Sequence, residues 1–172
     1  MMKKYVIAAV LFFASLPVSA EIFGLSAGAT AGGANVKFDG NSDYGFEYGV
    51  HARYQFNDIL SINAGVVQGS ADVDANLQTA DNEIDYTAFP VTIRGDLPLL
   101  IGNLYAKAGT NYYDVDIESP GIQINDDGWG FTGGAGFVFT LLPLLDLSLG
   151  YEYRNMGDVE SNAVVLGVQL GI

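Results

Sequence analysis

From Phe46 to Phe56 the chain alternates without a break. Phe46, Tyr48, Val50, Ala52, Tyr54 and Phe56 are apolar or aromatic, whereas Glu47, Gly49, His51, Arg53 and Gln55 are charged, polar or glycine. A β-strand turns successive side chains to opposite faces, so this segment has one greasy face and one polar face. In a soluble sandwich the apolar face would turn inward. Here the apolar face carries aromatics at both ends and the polar face carries small or ionisable groups, the pattern of a strand with lipid outside and a polar interior.

The first residues agree with an exported protein. Lys3 and Lys4 precede an apolar run from Val6 to Leu16, and Pro17, Val18, Ser19 and Ala20 form a small-residue end before Glu21. This reads as a signal peptide over residues 1–20, leaving residues 21–172 as one β-barrel domain. The run is too short for a membrane-spanning helix. With 20 acidic against 7 basic residues the formal net charge is −13, which disfavours nucleic acid as a partner. There is no cysteine, so stability must come from hydrogen-bond ladders. No later segment suits a transmembrane helix, and lipid tolerates strands only in a closed barrel.

Eight strand-like segments follow Glu21, in the reading 22–36, 44–56, 60–66, 87–94, 104–112, 129–140, 147–154 and 164–172. The fold class is all-β, an eight-stranded antiparallel up-and-down transmembrane β-barrel. Alternation fails near Val67 to Gly69, which suggests a bulge there, and Pro90 is awkward because it cannot donate to a ladder. The links after strands one, three, five and seven read as long acidic loops over 39–43, 70–82, 114–127 and 155–161. Those after two, four and six read as short turns. That asymmetry places the long loops outside and both termini in the periplasm. Tyr44, Tyr48, Trp129 and Phe131 lie near loop ends, and Tyr54, Phe56, Phe137 and Phe139 near turn ends, as two aromatic girdles would.

By parity Glu47, His51, Arg53, Arg94, Lys107, Glu152 and Arg154 face inward, joined by Asp96. Charges inside so narrow a barrel must pair, so the expectation is a salt-bridged plug; a gated ion path is the functional alternative. His51 is the sole histidine. Ser61 and Ser148 share its parity, yet no nucleophile-elbow motif supports a Ser-His-acid site. The acidic loops lack the spacing of a calcium loop, and neither metal nor cofactor is expected.

Over the mature length the chain resembles the OmpA-like and OmpX-like small outer-membrane barrels. The likeness is carried by Leu147 to Asn155 (LSLGYEYRN), Ala163 to Ile172 (AVVLGVQLGI) and the charges Glu47, Arg94, Lys107, Glu152 and Arg154. The last strand is similar to a barrel-assembly signal, with Gly167 followed by Leu170 and Ile172. It departs from the family pattern in ending on Ile172 instead of an aromatic residue and in having Val165 at a usually polar position. The resemblance implies a bacterial outer-membrane location without a peptidoglycan-binding domain. Implied partners are outer-membrane lipid and lipopolysaccharide, the barrel-assembly and periplasmic chaperone machinery, and an unidentified surface ligand. The expected role is structural and surface-interacting, not enzymatic. A narrow pore and a lipid-modifying enzyme are the alternatives.

Overall fold

The computed structural model describes residues 24–38, 40–74, 81–119, 122–142 and 144–171. The expected signal peptide and Ile172 lie outside the described residues. Eight strands follow one another: β1 (Leu25–Phe38), β2 (Asn41–Gln55), β3 (Leu60–Asp74), β4 (Asp81–Leu99), β5 (Gly102–Ser119), β6 (Ile122–Leu142), β7 (Leu145–Met156) and β8 (Val159–Gly171). Each pairs antiparallel with its chain neighbour, and β1 pairs with β8, so the sheet closes on itself. A closed sheet leaves no unpaired edge, the condition for strands to sit in lipid.

The connections differ from the sequence expectation. Phe38 pairs with Asn41, Asp74 with Asp81, Ser119 with Ile122 and Met156 with Val159, so three of the four supposed loops shrink to two-residue links. The acidic residues ride on strands that continue past the apolar belt. Membrane strands need about 9–11 residues, whereas β5 has 18 and β6 has 21. One detail of β3 is also corrected. No bulge interrupts Val67 to Gly69, because Val66 faces Val50 and Gly69 faces Glu47 in one unbroken register. Pro90 does interrupt the ladder, as its missing donor predicts, but does not shift it: pairing stops at Ala64–Val91 and resumes at Val67–Ala88 in the same register. The register shift falls instead between Thr140 and Leu142, in the β6–β7 pair.

The outward face carries Leu99, Leu97, Ile93, Val91 and Phe89 on β4 and Phe139, Phe131 and Trp129 on β6, all exposed. About ten steps of ~3.3 Å along a strand tilted by about 45° span roughly 25 Å, the height of an outer-membrane apolar band. The inward face is not uniformly polar, contrary to the expectation. Toward the acidic hairpins it holds a packed apolar cluster that includes Val36, Ile84, Tyr86, Tyr113, Val115, Ile117, Met156 and Val159. Gly69 makes room for the Tyr86 ring, which a Cβ there would strike. Beyond the lipid the outside of the wall meets water, so the acids turn outward and the apolar residues turn inward.

Candidate functional site

Polar residues crowd the inward face of the remaining, membrane-level part of the barrel, where the narrow bore forces facing strands within side-chain reach. Two ionic groups form there. In the first, Arg154 on β7 donates from Nη1 to both carboxylate oxygens of Glu47 on β2, at 2.8 Å each. Its Nη2 also donates to Glu152, whose other oxygen accepts from Lys107 Nζ at 2.5 Å. Tyr86 and Ser161 hydroxyls donate to Glu47 Oε2 at 2.8 and 3.2 Å. Glu47 and Arg154 are each 1% exposed. Buried charges survive only when their remaining hydrogen-bonding capacity is met, and the two hydroxyls help meet it for Glu47.

The second group is Arg53, Asp96 and Arg94. Asp96 accepts from Arg53 Nη2 at 2.9 Å and from Arg94 Nη2 at 2.5 Å, while Arg53 Nε donates to Ser61 Oγ at 3.0 Å. Arg94 also lies 4.0 Å from the centre of the Tyr105 ring, in cation–π geometry. Gly150 gives that tyrosine room, since a Cβ at position 150 would meet its hydroxyl. His51 lines a cavity of about 50 Å³ together with Asn63, Thr92, Lys107, Ser148 and Glu152. Val50, Val67 and Val138 complete a lining of mixed character, and a space of that size has room for a few water molecules beside its polar groups.

All eight inward-facing residues expected from sequence, Asp96 included, fall in or beside these two groups. Sequence reasoning missed Tyr86, Ser161 and Tyr105 as partners. Tyr86 was findable: Ile84, Asp85 and Tyr86 continue the alternation of β4 backward, between the loop expected over 70–82 and the strand expected from Thr87.

The aromatic residues expected in the two girdles lie on the outward parity. Tyr44 is 83% and Trp129 70% exposed, and Tyr48, Tyr54, Phe56, Phe131 and Phe139 are also exposed. Phe137 is half-buried, its ring 4.5 Å from that of Phe139. Tyr54 and Phe56 pair edge to face at 5.2 Å, as do Tyr112 and Trp129 at 5.6 Å. On β8, Gly167 faces inward between Ser148 and Thr30, and Leu170 faces outward.

The sequence model for an outer membrane protein beta-barrel domain matches residues 6–170. The chain belongs to that family. Among solved structures, this family member is similar to the neisserial surface protein A, at 19% identity and a TM-score of 0.71, covering 87% of this chain and 97% of that one. It is also similar to the attachment invasion locus protein Ail of Yersinia pestis, solved with the heparin analogue sucrose octasulfate. There the identity is 20% and the TM-score 0.62, over 87% of this chain and 99% of Ail. The N-terminal barrel of Pseudomonas aeruginosa OprF matches at 12% identity and a TM-score of 0.54, over 84% and 96% of the two chains. At such identities these likenesses establish the fold alone. No curated protein sequence matches the chain. The family places this barrel in the bacterial outer membrane.

Proposed function

We propose that this outer-membrane barrel works at its acidic rim, as a structural and surface-interaction protein, and does not pass solutes through its bore. The observation that carries the reading is the filled lumen, in which an apolar cluster stacks on buried ion pairs. An eight-stranded barrel is just wide enough to be filled by its own side chains.

The rim itself is unusual in charge. Asp85 stands directly opposite Asp116 and Asp114 opposite Asp127, with Asn125 Nδ2 donating to Asp114 at 3.1 Å and to Asp116 at 2.7 Å. Like charges across a ladder repel, so a positively charged surface ligand relieves a cost already present. Ail was solved with a polyanion; this rim suits the opposite sign. Lipopolysaccharide and outer-membrane phospholipid surround the barrel in this reading, and periplasmic chaperones and the assembly machinery deliver it after the leader is removed. Gly167, Leu170 and Ile172 supply the assembly signal.

The test has two parts. A cysteine introduced at Ser42, in a chain without cysteine, should react with an impermeant maleimide on intact cells. Labelling only after permeabilisation overturns the orientation. Refolded protein in planar bilayers should show no steady conductance, whereas discrete openings abolished by Arg94→Gln or Glu152→Gln would establish the narrow pore. An enzyme acting on lipid is disfavoured by the depth of His51 inside the wall, away from the acyl chains outside it.

A further inference from the structure

The rim opposite the acidic hairpins carries an apolar character of its own. Two of its three turns share one tetrapeptide, Leu97-Pro98-Leu99-Leu100 and Leu142-Pro143-Leu144-Leu145. No charged residue lies between Leu97 and Leu104 or between Leu141 and Leu145. Leu100 is fully exposed and Ile101 is 73% exposed, although each stands at the tip of a turn, beyond the last paired residues of β4 and β5. A soluble rim would place polar turn residues there. Leaving such side chains in water forgoes the gain of removing apolar surface from it, and exposed patches of this kind mark interaction surfaces.

The occupant follows from charge and continuity. Leu97 and Leu99 prolong the outward face of β4 directly from Ile93, and Leu141 prolongs β6 from Phe139, so the apolar rim is an uninterrupted extension of the lipid-facing belt. With no charge among them, the tips have nothing to orient a protein partner. Fluid acyl chains need neither a pocket nor a charge. We propose that the 97–104 turn, with Leu142 and Leu144 of the next connection, inserts into the phospholipid of the periplasmic leaflet. The insertion carries the belt past the end of the strands and fixes the depth of the barrel. This rests on the membrane placement given above and adds the lipid contact of a segment that a short periplasmic turn would ordinarily hold in water.

Tryptophan fluorescence tests it, because Trp129 is the chain's one tryptophan. In a Trp129→Phe background, Leu100→Trp and, independently, Ile101→Trp are refolded into phosphatidylcholine vesicles. Leu166→Trp serves as the mid-belt reference and Ser42→Trp as the aqueous one. The expected result is strong quenching by brominated phospholipid at positions 100, 101 and 166. Quenching by iodide there should be several-fold weaker than at position 42. If position 166 is quenched by bromolipid while 100 and 101 are as open to iodide as 42, the insertion is overturned and the rim is left for a protein partner. If 166 is also open to iodide, the membrane placement itself fails.

Discussion

Two storeys of one barrel solve opposite solvent problems with the same strands. At membrane level β5 presents Leu104, Ala106 and Ala108 outward over Tyr105 and Lys107. A few residues later it presents Asp114 and Asp116 outward over Tyr113, Val115 and Ile117. The parity never slips; only the chemistry assigned to each parity changes. β4 makes the same exchange in reverse, from Asp85 outward over Ile84 and Tyr86 to Val91 and Ile93 outward over Thr92 and Arg94. The barrel is therefore a soluble β-protein with an apolar core at one end and a membrane protein with an ionic core at the other. On β4 and β5 the point of exchange marks the edge of the apolar belt.

Cutting the ionic storey should have the largest effect. Arg154→Met leaves Glu47 without a cation and Glu152 with Lys107 alone, and breaking a buried pair this way costs about 3–5 kcal/mol, read as a lowered urea midpoint in micelles. In the apolar storey Ile84→Ala opens a cavity at a fully buried site and should cost about 2–4 kcal/mol in the same assay. A cost near zero there would mean that the upper lumen is not packed as described. The outward faces then separate the storeys on a single strand. Ile93→Arg puts a charge near mid-belt and should cost about 2–4 kcal/mol for refolding into vesicles. Asp85→Arg, on the same face but above the belt, should instead stabilise by about 0.2–1 kcal/mol, because it replaces a repulsion across from Asp116 with an attraction. Equal penalties at 85 and 93 would remove the boundary from between them.

The membrane storey was legible because its pattern is redundant. Phe46 to Phe56 and Leu147 to Arg154 keep strict alternation with rings or leucines on one face, and that is enough for strand count, parity and the inward charges. The upper storey obeys the same period, yet Asp114, Val115, Asp116, Ile117 and Glu118 were read as an acidic loop. Acids on the outward parity contradicted the lipid-facing rule that had identified the other strands. The missing idea was a change of solvent along the strand, not a change of secondary structure. Pairwise contacts were out of reach for another reason. Parity says that Glu47 and Arg154 both point inward, but only the stagger of strands distant in sequence decides that they meet while Arg53 and Arg94 share Asp96. Pro90 costs its own rung of the ladder, yet a missing donor does not disturb a register held on both flanks.

Seven of the eight strand pairings join neighbours in sequence, and the eighth joins Ser26 to Gly171. Hairpins can form one at a time as the polypeptide emerges, but the cylinder shuts only when its first and last segments meet. The β1–β8 seam brings together residues up to 145 positions apart in the chain, by far the longest-range pairing of the sheet. Until then the sheet is an open ribbon with two raw margins and a greasy back, the species most prone to self-association. The β1–β8 seam is thus the one pairing whose absence leaves this protein with exposed margins.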